Sequence, residues 1–286
     1  MAEQIGARHH TLQRLRRLSR RRAARSSEGA YVIDGPTLLA EALDAGVTVT
    51  DVVAEPGCPP ELFDRAALAG ASVWRASAGA LGRFVETVTP QRVAAIARLD
   101  DRPPAEAAAS AGPLALVLVA VGDPGNAGTL LRSAEAAGAG AVLFCDGSVD
   151  PYGPKCVRSS AGSLFRLAVT RAADSDEALA ALAAQGFTTV ATRARGALAY
   201  DHVDLAGPVA LVLGNEAHGL PEAVAAAVDS SVTIPMAGRT ESLNVGMAGT
   251  VLCFEALRQR RARDRASDQG NGLDGTPPQT AGFGTA

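Results

Sequence analysis

The chain has 286 residues, of which 47 % are hydrophobic, and a formal net charge of −3 at pH 7. This length suits one large or two ordinary domains and gives ample chain to bury a core. No apolar run reaches the roughly 20 residues of a membrane span, and the N-terminus lacks the apolar segment of a secretory signal. We therefore expect no membrane association and a cytoplasmic location.

The cysteines and histidines lack the spacing of a metal site or a disulfide framework. No CxxC pair occurs, and three of the four cysteines lie in apolar or glycine-rich sequence. The residues concerned are Cys58, Cys145, Cys156, Cys253, His9, His10, His202 and His218. This pattern favours buried thiols over disulfides or zinc ligands, and we expect no metal.

The N-terminal segment, residues 1–27, is strongly basic. It holds eight arginines and one acidic residue, although the whole chain is weakly acidic. Such a basic arm is the electrostatic footprint of a polyanion partner. A short solvated tail is the alternative interpretation of this segment.

Residues 28–99 have the alternating pattern of a small α/β domain, with turn-forming residues between short apolar strands and helices. Residues 100–112 are rich in proline, alanine and charge and lack strand pattern, so we interpret them as an interdomain linker. The predicted strands are 31–33, 47–53, 72–74 and 93–99, and the predicted helices are 37–45, 63–69 and 78–84.

Residues 113–263 form the second predicted domain. Its strands are near-continuous apolar runs that alternate with helices, which is typical of a parallel α/β sheet buried on both faces. Residues 264–286 are polar and contain proline and glycine, so we expect a disordered tail. The predicted strands are 114–121, 140–145, 167–170, 188–192, 209–213 and 232–234, and the predicted helices are 129–137, 176–185 and 222–227.

Three polar loops follow strands of this second domain. The first contains three glycines around Asn126 and leads to Arg132; the second, residues 213–220, is a glycine-flanked acidic loop that holds Glu216; the third leads from residue 235 into a helix. Ligands bind beyond the carboxyl ends of parallel strands. We therefore expect these loops to converge on one site.

Two phosphate-binding sites are alternatives for the first loop. A Rossmann dinucleotide site fits the strand, the glycine-rich turn, the helix and Asp146 about 20 residues on. The glycines, however, run G-x-x-G-x-x-G, and Pro124 removes an amide that a pyrophosphate would need. A Walker loop is excluded because no Gly-Lys-Ser/Thr follows.

The alternative for the third loop is an ordinary capped core helix. Ser242 can cap a helix start, and Asn244 then lies beyond the first cap position, where a better helix former is expected. Small residues at Gly246 and Gly249 weaken the helix but let another backbone approach closely. This combination of polar and small residues favours a binding site over a plain cap.

Three motifs in these loops resemble those of a known family. In order and spacing they look like motifs 1, 2 and 3 of the SpoU (TrmH-type) RNA ribose 2′-O-methyltransferases. The resemblance covers about residues 10–262 and implies a SPOUT fold, in which a small α/β RNA-binding domain precedes a trefoil-knot domain with a mostly parallel sheet. The motifs are Asn126-x-Gly-x-x-x-Arg132, Gly214-x-Glu216-x-x-Gly-Leu220 and Ser242-Leu-Asn-Val245.

The N-terminal domain also resembles the substrate-binding domain of this family. Its segment 87–91 is typical, whereas Asp34-Gly35 replaces the usual Glu-Gly. The family commonly has serine after motif 3, and this chain has Gly246 instead, so a hydroxyl contact is missing. His218 lies where the family is variable, and we interpret it as a loop residue rather than an acid or base.

The resemblance implies S-adenosylmethionine as cofactor and assigns roles to residues of the three loops. The implied catalytic residues are Arg132, Asn126, Glu216, Ser242 and Asn244. The implied cofactor-binding residues are Leu213, Gly214, Ile234, Met236 and Leu243. The candidate RNA contacts are Arg14, Arg17, Arg21 and Arg158.

Arg132 corresponds to the family's catalytic arginine, and two roles for it are open. A guanidinium stays protonated at ordinary pH, so a simple general base is physically awkward. Arg132 can grip the phosphate of the target nucleotide and stabilise the developing alkoxide. Alternatively, a desolvated, phosphate-bonded arginine can pass a proton transiently.

The function that the resemblance implies is methylation of a ribose 2′-hydroxyl in structured RNA by a homodimeric enzyme. Ribosomal RNA is favoured over tRNA because of the additional N-terminal domain, which is an argument by analogy. The alternatives are a tRNA 2′-O-methyltransferase of the same family and a non-catalytic RNA-binding or ribosome-assembly factor. The intact Asn126, Arg132, Glu216 and Asn244 argue against the non-catalytic factor.

Overall fold

The N-terminal domain is an α/β domain built on five strands. Its elements are β1 (Glu3–Gln4), α1 (His10–Arg20), α2 (Arg22–Glu28), β2 (Ala30–Asp34), α3 (Pro36–Asp44), β3 (Val49–Ala54), α4 (Pro60–Leu68), β4 (Ser72–Arg75), a 3-10 turn (Leu81–Arg83) and β5 (Val93–Arg98). The strands lie in the order β1-β4-β3-β5-β2, and β5 runs opposite to the other four. The computed structural model describes residues 3–85 and 91–271, with side chains as far as residue 267.

The C-terminal domain contains the parallel sheet that its apolar runs predict. Its elements are α5 (Pro104–Ala109), β6 (Leu114–Leu118), α6 (Pro124–Ala136), β7 (Ala141–Phe144), α7 (Pro154–Ser159), β8 (Ala168–Arg171), α8 (Ser175–Ala183), β9 (Thr188–Thr192), β10 (Leu198–Ala199), β11 (Val209–Leu213), α9 (Glu222–Ala227), β12 (Ser230–Thr233) and α10 (Val245–Asn271). The strand order is β10-β12-β9-β11-β6-β7-β8, and every pair in it is parallel.

The basic segment is folded, which corrects the expectation of a separate arm at residues 1–27. Helix α1 places a leucine at every third position, and Leu12, Leu15 and Leu18 are fully buried against β2, β3 and β5. Burying one leucine side chain stabilises a fold by roughly 2 kcal/mol. Hydrophobic burial therefore attaches this helix to the sheet, and the N-terminal domain begins well before residue 28.

Two further boundaries differ from the sequence prediction. The expected linker, residues 100–112, contains α5, whose Ala107 and Ala108 are buried in the core of the C-terminal domain beside α8. The last helix, α10, continues to Asn271, so the first part of the expected disordered tail is helical. Residues 272–286 lie outside the described residues, as do residues 87–90 of the family-typical segment 87–91.

The two domains meet through buried polar contacts as well as apolar ones. Arg25 of α2 is buried and forms an ion pair of 2.6 Å with Asp150 of the C-terminal domain. Its guanidinium also donates to the carbonyl of Leu18 at 2.6 Å. The rings of Tyr31 and Tyr152 pack with their centroids 5.0 Å apart across the same boundary. Because a buried charge is costly unless paired, these contacts fix the register between the domains.

Helix α10 packs tightly on α6, the helix that follows β6. The hydroxyl groups of Ser133 and Thr250 are hydrogen-bonded at 2.7 Å between the two helices. A side chain at Gly249 would collide with Leu130 of α6 and with Leu213, the last residue of β11. Glycine at this position therefore favours the close approach of the helix, as its small residues predict. Within the described part of the chain, no helix combines the length and apolarity needed to cross a membrane.

Candidate active site

A cleft of about 560 Å³ lies beyond the carboxyl ends of β9, β11 and β12. Its apolar lining includes Val232, Ile234, Leu243 and Leu252, and its polar rim comes from the second and third loops. A cleft of this size suits a ligand of nucleoside dimensions. The second and third predicted loops therefore meet at this end of the sheet, and the first loop does not line the cleft.

Glu216 ties the first loop to the second. Its carboxylate accepts a hydrogen bond of 2.8 Å from the Asn126 side chain and bonds of 3.3 and 3.2 Å from the amides of Gly122 and Asp123. These amides lie at the start of α6, where the helix dipole favours negative charge. One carboxylate thus holds two loops that are more than 90 residues apart in sequence.

The electrostatics of Glu216 follow from this geometry. Burial acts to raise the pKa of its carboxyl, but the hydrogen bond from Asn126 and the amides of Gly122 and Asp123 outweigh burial and lower that pKa below its ordinary value. The group is therefore ionised at neutral pH. An ionised carboxylate accepts hydrogen bonds only, which matches the three donors around it.

The second loop is closed on itself. The backbone groups of Asn215 and Gly219 exchange two hydrogen bonds of 2.9 Å, and the Asn215 side chain donates to the carbonyl of Ala120 at 2.9 Å. A Cβ atom at Gly214 would lie 2.5 Å from the backbone carbon of Gly219, so only glycine fits there. His218 contacts the Asn215 side-chain oxygen at 3.2 Å, within its own loop. These contacts support its interpretation as a loop residue.

The third loop ends in a cap, and the cap residue differs from the expectation. Helix α10 begins at Val245, so Asn244 is its N-cap and does not lie inside the helix. The Asn244 side chain accepts a hydrogen bond of 2.8 Å from the amide of Gly246, and its carbonyl accepts from Ala248. Asparagine is among the best N-cap residues, so its presence needs no site to explain it.

The remainder of the third loop is held weakly. Ser242 lines the cleft without a side-chain hydrogen bond to another described residue. An ion pair of 3.6 Å joins Glu241 to Arg195, but both side chains are largely exposed, at 85 % and 77 %. Arg195 follows β9 and lines the cleft together with Thr192 and Arg193. None of these three residues is predicted from the sequence, although their position at the carboxyl end of a parallel strand is a usable signal.

Comparison with known proteins identifies the family. The SpoU rRNA Methylase family model matches residues 113–254, and a model of the MRM3-like substrate binding domain matches residues 10–95. The 23S rRNA (guanosine(2553)-2′-O)-methyltransferase RlmP of Bacillus subtilis is 32 % identical over 232 residues, which cover 80 % of this chain and 89 % of that protein. The chain belongs to the SpoU rRNA methylase family.

Solved structures of SpoU relatives share the whole architecture. The AdoMet-bound rRNA methyltransferase from Sinorhizobium meliloti superposes with a TM-score of 0.80 at 29 % identity, covering 90 % of this chain and 97 % of that chain. The SpoU methyltransferase AviRb from Streptomyces viridochromogenes, in complex with AdoMet, gives a TM-score of 0.81 at 27 % identity, covering 89 % and 100 %. Both domains are therefore ones that SpoU enzymes combine.

The structure brings most of the predicted SpoU cofactor residues to the cleft. Gly214, Ile234, Met236 and Leu243 line it, as do the predicted Glu216 and Ser242. Leu213 is not among the residues that line it, and it is fully buried at the end of β11.

Arg132 lies on the exposed side of α6, outside the lining of the cleft. Its side chain makes no ion pair or hydrogen bond with the residues that the structure describes. It is three residues after Thr129, whose side chain contacts the region of Gly246 at the start of α10. The guanidinium is therefore available to a ligand that approaches the two helices.

The arginines predicted to contact RNA divide into two groups. Arg14 forms ion pairs of 2.9 Å with both Glu28 and Asp51, and Arg17 pairs with Glu28, so intramolecular carboxylates engage both. Arg158 lies 3.8 Å from the buried carboxylate of Asp34 at the domain boundary. Of the predicted residues, Arg21 is exposed and makes no ion pair with a described residue. Arg16, Arg20 and Arg22 share that exposure.

The Rossmann alternative for the first loop does not fit the observed contacts. A dinucleotide site needs free amides at the start of the helix to bind a pyrophosphate. The amides of Gly122 and Asp123 donate instead to the Glu216 carboxylate. A pyrophosphate at this position would meet a negative charge.

Proposed function

We propose that this protein transfers a methyl group from S-adenosylmethionine to a ribose 2′-hydroxyl of structured RNA, with ribosomal RNA as the substrate. The observation that carries the proposal is the cleft at the β9–β11–β12 edge, with Glu216 joining the first and second loops beside it. The relatives named as rRNA methyltransferases, one bound to AdoMet, support the substrate and the cofactor. Because ribosomal RNA is the proposed substrate, we place the reaction in the cytoplasm.

The residues of the cleft fit S-adenosylmethionine. Ile234 and Leu243 offer partly exposed apolar surface for an adenine ring, and the backbone of Gly214 also lines the cleft. Met236 and Ser242 lie on the rim. When bound, this cofactor supplies a methyl group on a positively charged sulfur. The trefoil knot that the family resemblance implies remains a prediction.

The chemistry requires a 2′-hydroxyl aligned with the methyl group and a route for its proton. Glu216 and Asn126 fix the loop that begins α6, and α6 carries Arg132. We assign to Arg132 the binding of the nucleotide's phosphate and the stabilisation of the negative charge that develops on the 2′-oxygen. The alternative is the transient passing of a proton by a desolvated, phosphate-bonded arginine.

Replacing Arg132 tests these roles. We expect Arg132→Ala to lower kcat/KM at least a hundredfold, as loss of one charge-stabilising donor typically does, with S-adenosylmethionine affinity unchanged. Arg132→Lys keeps the charge but not the two-pronged geometry. A substantial retained rate in the lysine variant supports a charge-only role, whereas near-complete loss supports a bidentate or proton-passing role. Methyl transfer to ribosomal RNA is the measured rate, and calorimetric titration gives the cofactor affinity.

The same titration tests the enzyme proposal itself. Absence of S-adenosylmethionine binding at millimolar concentration would overturn it in favour of a non-catalytic RNA-binding factor. Mapping ribose methylation across ribosomal RNA from a strain that lacks the protein then identifies the nucleotide.

We infer that two copies of the chain associate through helix α10. Met247 and Phe254 are 61 % and 46 % exposed, and a spacing of seven residues places them on one face of the helix. Exposed large apolar side chains on one helix face are typical of a self-association surface. We expect Phe254→Glu to shift the mass in light scattering from dimer to monomer. A monomeric wild-type protein would contradict the inference.

RNA recruitment is assigned to the exposed arginines of α1 and α2. Arg16, Arg20, Arg21 and Arg22 make no ion pair with the described residues and can each neutralise a phosphate. Arg14 and Arg17 contribute less, because their guanidinium groups are engaged by carboxylates of the same domain.

A further inference from the structure

A second cavity, of about 440 Å³, lies in the N-terminal domain, away from the cleft of the proposed reaction. It opens where three neighbouring parallel strands end: β1 at Gln4, β3 at Ala54 and β4 at Arg75. In sheets of this kind, the carboxyl ends of parallel strands are where ligands bind. The cavity therefore occupies the position at which a ligand site is expected.

The cavity contains a planar cation supported by an aromatic ring. The guanidinium of Arg75 lies 5.5 Å from the centroid of the Phe63 ring, within the range of a cation–π contact. Phe63 is buried, whereas Arg75 is exposed and makes no ion pair with the described residues. The guanidinium therefore lies over the ring and is otherwise accessible to a ligand. Such a plane is a stacking surface for the flat ring of a nucleobase.

Besides Gln4 and Ser77, the polar lining of the cavity contains two carboxylates. Glu55 accepts amide bonds of 2.8 and 2.6 Å from Gly79 and Leu81, which hold its carboxylate in place and leave further lone pairs. Asp64 contributes a second carboxylate. Carboxylates accept hydrogen bonds only, so they match a base that presents an amino group. Adenine, cytosine and guanine carry one, and uracil does not.

The cavity lies at the end of the N-terminal sheet at which Asp34 of β2 contacts the C-terminal domain. Asp34 ends β2 there, two strand spacings or roughly 10 Å from β3, and its carboxylate is 3.8 Å from Arg158 of α7. Ser159 of α7 in turn donates to the carbonyl of Pro124 in α6 at 2.8 Å. A strand of RNA that reaches α6 can therefore also reach this cavity.

We propose that this cavity binds one unpaired, amino-bearing nucleobase of the RNA, stacked on Arg75 and read by Glu55 and Asp64. The site rests on the proposed function, because it supplies substrate recognition for that reaction. It is separate from the cofactor cleft, so its loss does not affect S-adenosylmethionine binding.

Cys58 allows a direct test, because it lines the cavity and is the partly exposed cysteine, whereas Cys145, Cys156 and Cys253 are buried. The full-length protein is alkylated with iodoacetamide at about pH 9, since burial raises the pKa of the Cys58 thiol. Modification at Cys58 is followed by mass spectrometry with hexaadenylate, hexacytidylate or hexauridylate present. We expect the first two oligonucleotides to slow alkylation and hexauridylate to do so at least fivefold less effectively.

Matched variants separate stacking from charge. Arg75→Ala and Arg75→Lys should both abolish protection, because lysine keeps the charge but lacks the plane. Arg98→Ala is the control: it removes the same charge from an exposed position at the opposite edge of the sheet, where β5 ends. This control should leave protection unchanged. We also expect Arg75→Ala to raise KM for ribosomal RNA about tenfold, with kcat and cofactor affinity unchanged, since stacking of one base contributes on that order.

Protection that persists in Arg75→Ala, or none with any oligonucleotide at millimolar concentration, would overturn the site. Equal protection by hexauridylate would overturn the amino-group preference. These results are distinct from failure of the proposed function, which appears as absent S-adenosylmethionine binding and leaves the alkylation experiment intact.

Discussion

The two sides of the cofactor cleft are built differently. On one side, the first two loops are locked together by Glu216, by the Asn215 side chain and by a glycine that has no room for a methyl group. On the other side, the third loop is anchored at its end by the Asn244 cap, and its rim is joined to Arg195 by a long, exposed ion pair. One wall is preorganised, and the other is free to adjust.

This difference indicates which wall binds the ligand without a loss of conformational entropy and which wall loses entropy on binding. A preorganised wall binds a ligand without an ordering cost, whereas a weakly held wall loses conformational freedom when the ligand arrives. Substitutions on the first wall should therefore act on affinity directly. Those on the second should have small effects unless the loop forms new contacts with the ligand.

The largest expected effect comes from Gly214→Ala. The added methyl carbon meets backbone atoms of Gly219 and Leu220 at 2.5 to 2.6 Å, and neither can move without opening the loop. Overpacking against backbone costs about 3 kcal/mol, so we expect S-adenosylmethionine affinity to fall roughly a hundredfold in calorimetry. Near-normal affinity would show that the first wall can adjust, and the two walls of the cleft would then not differ in rigidity.

An intermediate effect is expected from Glu216→Gln. The amide keeps the size of the side chain but turns one acceptor into a donor facing donors, which costs about 1 kcal/mol and weakens cofactor binding several-fold. Glu222→Gln is the matched control, because Glu222 lines the same cleft and is 85 % exposed. It should behave like the wild type.

The pH dependence of the Glu216 variant sharpens this prediction. The folded protein lowers the pKa of Glu216 below its ordinary value of 4.5. The ionised carboxylate therefore makes its full contribution to the stability of the fold above pH 4.5, and this contribution is lost as the pH falls through the lowered pKa. The difference in the free energy of unfolding between the wild type and Glu216→Gln should therefore be constant from neutral pH down to about 4.5 and should shrink below that pH. Urea unfolding across this range measures it, and a difference that grows on acidification would contradict the assignment.

The smallest expected effect is that of Arg195→Ala on the second wall. Exposed ion pairs contribute only about 0–1 kcal/mol, and this one is long, at 3.6 Å, and so belongs at the low end. Cofactor affinity should change less than twofold in Arg195→Ala, and Glu241→Ala should change it by a similarly small amount. A tenfold loss in Arg195→Ala alone would mean that Arg195 itself touches the ligand.

The preorganised wall could be predicted from sequence to a useful degree, because short-range patterns specify it. Apolar runs gave the parallel strands, and Glu216 stood out as an acid between glycines at the end of one of them. The helix start at Val245 was placed too early because Ser242 and Asn244 are both good caps, and only backbone geometry decides between them. Arg193 and Arg195 were not predicted as site residues because exposed arginines are common and do not by themselves indicate a site.

Long-range pairing was beyond the reach of sequence patterns. The basic segment was interpreted as an arm because charge dominates its composition, although the spacing of Leu12, Leu15 and Leu18 already indicated a buried helix face. The pairing of Arg14 with Asp51 joins residues far apart in the chain. Composition cannot distinguish an arginine that serves the fold from one that serves a ligand.

The ion pair between Arg25 and Asp150 has a consequence for biosynthesis. The two residues are 125 positions apart, and at about 5–20 residues per second a ribosome takes on the order of ten seconds to make that stretch. During this interval helix α2 has been synthesised, whereas Asp150, the carboxylate that pairs with its Arg25, has not. The first domain therefore emerges unfinished, and the joint between the two domains closes late, after the strand that precedes Asp150 has been translated.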